Sequence, residues 1–228
     1  VEQFLTYSEN NNKFATVEAK RSLLELHLVP HFGAMKLTDI GPAEVESFKS
    51  AMRKKQSRAR APQEGASRSA VLRRYGGEAG PLSAKTINNA LACLRKMLSV
   101  AGEYQLVRAA PKVRLLKTSA AAFDFLDFDE AERLIEAFKA SDVEFLPAAL
   151  LVIKGGLPLG ELVGLQWADL DLVRGSVTVQ RNVYRGRVQA TPKGGRAREV
   201  PLPPSAVEVL LPLRNLKTWV FADEAGKF

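Results

Sequence analysis

A dense run of cations stands out between residues 174 and 198. No aspartate or glutamate lies between Asp171 and Glu199. The members of this basic block are Arg174, Arg181, Arg185, Arg187, Lys193, Arg196 and Arg198. Guanidinium and ammonium groups form charge-assisted hydrogen bonds with phosphate oxygens. The block therefore predicts a polyanionic partner, with nucleic acid as the first candidate.

A second set of polar side chains follows Ser83, which has the residue type of a helix N-cap. Apolar residues recur at 87, 91, 94 and 98, the spacing of one buried stripe on a helix. We expect the polar residues beside this stripe to contact DNA: Lys85, Thr86, Asn88, Asn89, Arg95 and Lys96. The basic end of an earlier predicted helix adds Lys54 and Lys55 to the candidates.

The charge is unevenly distributed along the 228 residues. The formal net charge of +8 divides into +10 for residues 1–117 and −2 for residues 118–228. This asymmetry favours duplex DNA as the partner of a basic first domain. The alternative is that the lysines and arginines only solvate helix faces.

Composition narrows the class of protein. Hydrophobic residues make up 46% of the chain, enough for a core, so a wholly disordered chain is excluded. No apolar run approaches the ~20 residues of a membrane span, so we expect no membrane partner. The lone Cys93 cannot form an internal disulfide, which favours a reducing compartment. We therefore expect a cytoplasmic, nucleoid-associated protein.

The predicted elements form a mainly helical α+β chain. A helix over 16–28 should be ended by the segment Pro30 to Gly33, because proline lacks the donor and glycine accepts a left-handed cap, and Pro42 should open the next helix. Residues from about 56 to 82 have the composition of an exposed basic insertion. After a linker, Asp127 should begin a second domain with a capping box. From Gly175 the apolar period changes to two, which predicts a small antiparallel sheet. The predicted domains are 1–117 and 118–228.

Four segments resemble parts of the tyrosine recombinase (phage integrase) family. The segment 155–172, GGLPLGELVGLQWADLDL, resembles its first catalytic box. The segment 191–202, TPKGGRAREVPL, resembles its lysine-bearing β-hairpin. LVPHFG at 28–33 and LSAKTINN at 82–89 resemble its helical core-binding domain. The box followed at this distance by the hairpin is a far more specific signal than either motif alone.

The resemblance implies a fold and a chemistry. The fold would be a helical core-binding (SAM-like) domain followed by a partial catalytic domain with a small antiparallel sheet. The family clamps duplex DNA and exchanges strands through a phosphotyrosyl link, without a metal or other cofactor. Lys193 matches the family's general-acid lysine, and Glu161 matches the acid beside its first catalytic arginine. The alternatives are that Lys193 is a turn lysine touching phosphate, and that Glu161 is a helix-start acid or a partner of Lys193.

Two departures from the family pattern predict loss of activity. Pro158 occupies the position of the first catalytic arginine, three residues before Glu161. The His-x-x-Arg box and the nucleophilic tyrosine would follow the last residue of this sequence, and none of its four tyrosines lies in a matching context. These departures indicate a degenerate or truncated member.

The sequence leaves three functions open. The first is a DNA-binding protein derived from a mobile element and inactive alone. The second is a fragment of an active recombinase, completed by missing residues or by a partner subunit. The third is an interaction module that self-associates through apolar surface. The sequence does not define the DNA target site.

Overall fold

The computed structural model describes residues 1–56, 80–119, 125–192, 194–214 and 217–222. The chain divides into two units, Val1–Ala121 and Ala122–Phe228. The boundary predicted from sequence, between 117 and 118, lies a few residues earlier. Most of the predicted basic insertion lies outside the described residues. Its base is described: Gln56 forms an antiparallel bridge with Pro81.

The first unit begins with α1, Glu2–Asn11, and α2, Phe14–Leu23. A π-helical turn, Leu24–Leu28, then continues directly into α3, Val29–Phe32. The helix runs to Phe32, beyond the predicted Leu28, because the chain stays helical through Pro30, and it ends within the predicted segment Pro30 to Gly33. Gly33 is its C-cap but does not adopt the expected left-handed conformation, since its φ is −61°.

The helix tolerates Pro30 because the carbonyl that proline leaves without a donor is bonded elsewhere. In a regular α-helix the N–H of residue 30 would donate to the carbonyl oxygen of Leu26, and proline has no N–H. Lys55 Nζ donates to that oxygen instead, at 2.7 Å. The lysine comes from 29 positions further along the chain.

The core of the first unit lies against two further helices. After a 3₁₀ turn, Leu37–Asp39, α4 covers Pro42–Lys54 and α5 covers Ala84–Glu103. Pro42 opens α4 as predicted, and Ser83 caps α5 by accepting a hydrogen bond from Thr86 N at 3.2 Å. The predicted α5 stripe is buried and packs with side chains of the preceding helices: Ile87, Leu91, Leu94 and Leu98 with Leu24, Leu28, Val45 and Phe48.

The segment after α5 is fastened back onto the first unit. Val107 and Val113 are buried. Asn88 Nδ2 donates to the Leu116 carbonyl at 3.0 Å, and Leu116 N donates to Asn88 Oδ1 at 2.8 Å. The Asn88 amide thus hydrogen-bonds both the N–H and the C=O of Leu116. These two bonds hold the segment that follows α5 against the first unit.

The second unit begins with α6, Phe128–Ser141, and the predicted capping box is present. Glu130 N donates to Asp127 Oδ1 at 2.7 Å, and Asp127 N donates to Glu130 Oε2 at 3.0 Å. A 3₁₀ turn, Val143–Phe145, leads to α7, Leu146–Ile153. The short α8, Leu159–Val163, follows, and a 3₁₀ turn covers Trp167–Asp169.

The strands form two small sheets where the sequence predicted one. β1, Leu170–Asp171, β2, Ser176–Val179, and β5, Arg198–Pro201, pair antiparallel in the order β1–β2–β5. β3, Asn182–Tyr184, and β4, Arg187–Gln189, form a separate hairpin. After Val179 the chain leaves the first sheet, and the following strand β3 packs against α8.

The core of the second unit lies under β2. Val177 and Val179 are buried, as their alternation predicts, and pack against Leu151 and Leu165. The unit continues with α9, Pro204–Leu210, and a 3₁₀ turn, Leu211–Leu213. Gln166 and Trp219 form an isolated antiparallel bridge.

Candidate nucleic-acid interface

The start of α8 is the centre of the motif found in the second unit. Pro158 is the N-cap residue of this helix, with φ −60° and ψ 148°, and is exposed. Glu161 lies in the first turn and is 1% exposed. A proline suits this position because its fixed φ matches the extended N-cap and its missing N–H is not needed there.

Glu161 forms an ion pair with a cation of the basic block. Arg198 Nη2 donates to Glu161 Oε2 at 2.6 Å. The hydrogen bond and charge of Glu161 raise the pKa of the Arg198 guanidinium above its ordinary value. The sequence offered a helix-start acid or a Lys193 partner for Glu161, and missed Arg198 as its partner. Arg198, predicted as a DNA contact by charge alone, therefore also has an intramolecular role.

The strand pairing explains how a residue 37 positions away reaches Glu161. Arg198 lies opposite Val179 at the end of the β2–β5 pairing. Gly195, with φ +82°, makes the turn that precedes β5, a conformation that side chains rarely adopt. The backbone that carries Arg198 is therefore held by the sheet.

A second arginine of the block is built into the unit. Arg181 Nη1 contacts Asp169 Oδ2, and Asp169 is 5% exposed. Asp169 also accepts from Gln180 Nε2 at 2.6 Å and from Gln166 N at 2.8 Å. Nothing in the local sequence distinguishes Arg181 from the other arginines, because its partner is selected by the fold.

Two predicted contacts lie on the β3–β4 hairpin. Arg185 sits in its turn with φ +50°, is exposed, and stacks its guanidinium over Tyr184 at 5.7 Å from the ring centroid. Arg187 begins β4 and is exposed. The hairpin is joined to α8 by close packing, since a Cβ at Gly160 would lie 2.7 Å from the Val183 carbonyl oxygen.

Arg196, another predicted contact of the second unit, is exposed in the turn before β5. Lys193, the predicted general acid, lies outside the described residues, so its role stays a prediction.

The charged and amide side chains predicted to contact DNA from α5 lie either opposite its buried stripe or on its flank. Lys85, Asn89 and Lys96 are spaced four and seven residues apart and occupy the side of α5 away from its buried stripe. Arg95 lies on a flank and is exposed. Lys96 Nζ is 3.5 Å from Glu103 Oε1 and lies over the Tyr7 ring at 5.0 Å. Its pKa is raised, first by the hydrogen bond with Tyr7.

Three predicted contacts of the first unit have intramolecular partners. Both polar groups of the Asn88 amide bond to Leu116, as described above. Thr86 Oγ1 lies 2.9 Å from Ser83 Oγ at the start of α5. Lys55 donates to Leu26 O and lies 3.3 Å from His27 Nδ1, and both Lys55 and its neighbour Lys54 are exposed. Contact of these residues with DNA stays a prediction.

Models of one protein family match both units. The "Phage integrase family" model matches residues 124–227, and the "Phage integrase, N-terminal SAM-like domain" model matches residues 1–52. Together they cover about two thirds of the chain. The chain belongs to the phage integrase family of tyrosine recombinases.

Curated relatives include the tyrosine recombinase XerC of Xanthomonas campestris pv. campestris strain B100, 31% identical over 154 residues. This match covers 64% of the present chain and 44% of the relative. XerC of Xanthomonas axonopodis pv. citri strain 306 is 30% identical over 154 residues, 64% of this chain and 47% of that relative. The integrase-family chain thus spans less than half the length of these relatives.

Solved integrase structures share the fold. The Tn1549 transposon integrase in complex with a circular intermediate DNA matches with a TM-score of 0.73 at 17% identity, over 99% of this chain and 72% of that one. A lambda integrase dimer bound to a COC′ core site matches with a TM-score of 0.66 at 16% identity, over 99% and 72%. The predicted fold class, a SAM-like helical domain followed by an integrase-type unit with a small antiparallel sheet, is confirmed.

The described residues contain neither a candidate membrane-spanning helix nor a candidate metal-binding cluster. None of the helices in these ranges combines the length and apolarity that a membrane crossing requires. The same ranges hold no cluster of three or more histidine, cysteine, aspartate or glutamate residues able to ligate a metal ion.

Proposed function

We propose that this integrase-family chain binds duplex DNA through exposed cations of both units. The similar Tn1549 and lambda integrases were solved in complexes with DNA, which supports the same class of partner here. The observation that carries the proposal is the polar side of α5, where Lys85, Asn89 and Lys96 stand together opposite the core.

The proposed contact residues have side chains that are at least partly accessible to solvent, and Lys96, Arg185 and Arg198 among them also have intramolecular partners. In the first unit they are Lys54, Lys85, Asn89, Arg95 and Lys96. In the second unit they are Arg185, Arg187, Arg196 and Arg198, with Lys193 retained from the motif. Their number predicts binding dominated by phosphate contacts, which position the protein without defining a sequence.

We further propose that the chain does not cleave DNA strands by itself. Pro158 stands at the position where the motif has an arginine. Its side chain has no charge and no hydrogen-bond donor, whatever its conformation. Removing one donor aimed at developing charge costs roughly 10²- to 10³-fold in rate. An arginine at a phosphoryl-transfer site is worth as much or more.

Fluorescence anisotropy on a labelled random duplex over a series of salt concentrations tests the binding. We expect the logarithm of the binding constant to fall linearly with the logarithm of salt concentration, with a slope of about −0.9 for each phosphate neutralised. Absence of binding at low salt, or binding insensitive to salt, contradicts the proposal.

The second candidate is a recombinase fragment that a partner subunit or further residues complete. The match to less than half of the XerC relatives favours it. A nicked suicide duplex tests this, alone and with a partner recombinase: a covalent protein–DNA adduct formed by this chain alone would overturn the proposed inactivity. Sedimentation of the same sample would show whether the chain self-associates or forms a complex with that partner.

A further inference from the structure

The ion pair between Glu161 and Arg198 joins a buried group to an accessible one. The Glu161 side chain is 1% exposed, whereas the Arg198 side chain is 40% exposed. The observed Nη2···Oε2 contact uses one of the five N–H donors of a guanidinium. The arginine is therefore anchored at one edge of its fork while the side chain remains accessible from solvent.

The Glu161 end of this ion pair and Pro158 belong to the start of α8. Pro158 is the exposed N-cap of the helix, and Glu161 lies in its first turn. The cation bound to the Glu161 carboxylate is therefore held at the end of α8 where position 158 carries no donor.

The sheet reduces the freedom that Arg198 would lose on binding an anion. Its backbone is fixed by pairing with Val179, and its guanidinium is fixed by Glu161. Arg174, by contrast, is 84% exposed on a turn, with its Asp171 contact at 3.7 Å. Ordering such a long side chain costs rotamer entropy. An arginine already held in place avoids most of that cost.

We propose that Arg198, oriented by Glu161, is a pre-positioned phosphate contact of the second unit, at the start of α8 where Pro158 carries no cation. This inference rests on the proposed DNA binding and specifies how one of the contacts in that unit is held. Glu161 acts through Arg198 and is a positioning residue.

Neutralising Glu161 tests its role through the sign of the change in DNA affinity. A carboxylate near a phosphate repels it, so a purely electrostatic account makes DNA binding tighter when Glu161 is neutralised. A positioning account makes binding weaker, because Arg198 loses its anchor. Glu161→Gln therefore separates the two accounts by the sign of the change in affinity.

The main variant is Glu161→Gln/Arg198→Gln, which removes both charges, keeps the net charge and lets two amides hydrogen-bond. The matched control is Glu136→Gln/Lys139→Gln, which removes an exposed ion pair of 2.7 Å on α6 without changing the net charge. Binding of both full-length variants to a labelled random duplex is measured by anisotropy over a potassium chloride series. Circular dichroism and thermal melting verify the fold.

We expect the main variant to bind at least about threefold more weakly at low salt and to lose about 0.9 from the salt slope, the value of one phosphate contact. The control should match the parent chain, and Glu161→Gln alone should weaken binding. Arg198→Lys keeps the ion pair and the fold, and should still weaken binding, because one ammonium replaces a two-edged fork.

Parent-like binding by the main variant, or by Arg198→Lys if the main variant does not fold, overturns the inference while leaving DNA binding intact. Tighter binding by Glu161→Gln overturns the positioning role. No salt-dependent binding by the parent chain overturns the proposed function itself, and the inference with it.

Discussion

The two units use their cations differently. On α5 and at the end of α4, Lys54, Lys85 and Arg95 are exposed, and within the described part of the chain none of them has an ion-pair partner. In the second unit, Arg181 and Arg198 are each bound to a buried carboxylate. The first unit thus presents charge on a surface, and the second builds charge into its architecture.

This difference limits what a charge count can say. The first unit carries a net +10, and Lys54, Lys85 and Arg95 are among its exposed cations. The second unit carries a net −2 but holds an acid-free basic block, in which Arg181 and Arg198 bind acids distant in sequence. In that unit, the ion-pair partner of each arginine says more about its role than the net charge does.

The largest expected effect tests whether Arg181 is structural. Asp169→Asn leaves the Arg181 charge, 17% exposed, without its anionic partner. Breaking a buried pair in this way lowers the free energy of unfolding by about 3 kcal/mol. Arg174→Gln, in the same basic block, should change it by no more than about 0.5 kcal/mol. Urea denaturation measures both, and equal effects would show that Arg181 is no more structural than an exposed arginine of the same basic block.

The next effect separates two adjacent asparagines in the first unit. Asn88→Ala removes both hydrogen bonds to Leu116 and should lower the free energy of unfolding by about 2 kcal/mol. Asn89→Ala, at an exposed position, should change stability by less than about 0.5 kcal/mol and weaken DNA binding instead. Thermal melts measure the stability of both variants, and anisotropy measures their DNA binding. A stability loss in Asn89→Ala and a binding loss in Asn88→Ala would contradict the assignment.

A charge reversal on the open face of the first unit tests its role in binding. Lys85→Glu/Arg95→Glu should lower DNA affinity by about tenfold at low salt, because two cations are lost and two repulsive charges are added. Arg133→Glu/Lys139→Glu on α6 has the same effect on net charge and should bind more tightly than the α5 variant. Equal losses would mean that only the total charge matters.

The smallest effect concerns the lysine that supports the helix at Pro30. Lys55→Met should lower stability by about 0.5–1 kcal/mol, since it removes the hydrogen bond to the Leu26 carbonyl. Lys54→Met, which alters an exposed side chain, is the control and should weaken DNA binding instead. A stability loss from Lys54→Met equal to that from Lys55→Met would contradict the assignment.

The same site gives a pH dependence of stability. Burial first, and then the charge of Lys55, lowers the pKa of His27 below 6.5. The unfolded chain therefore binds the proton more readily, and stability falls as the pH drops from 6.5 toward the folded pKa. His27→Gln should flatten this part of a stability–pH profile measured by urea denaturation. An unchanged profile would show that His27 does not contribute.

The sequence predicted most of the elements because their signals are local. The apolar stripe of α5, the Ser83 cap, the Asp127 capping box and the alternation of Val177 with Val179 each depend on neighbours within a few residues. The failures arose where a distant residue intervened. Pro30 would have ended the helix if Lys55 and the π-helical turn did not accommodate it.

The candidate site was predictable as a set of residues but not as a geometry. The GGLPLGEL and TPKGGRAREVPL motifs located α8 and the turn before β5, and they located Pro158 at the position of an arginine. They did not indicate that Arg198 would bind Glu161, because the two residues are 37 positions apart. No local pattern encodes a contact at that separation.

The sequence by itself determined the family, the fold class and the asymmetry of charge, and it predicts that Pro158 stands where the family has its first catalytic arginine. These follow from residue identity and short-range spacing. Only the tertiary structure decided which of two similar neighbours is structural: Lys55 rather than Lys54, and Asn88 rather than Asn89. In each pair the two side chains have the same chemistry, so the difference comes from a backbone group that folding brings to one of them from 28 or 29 positions away.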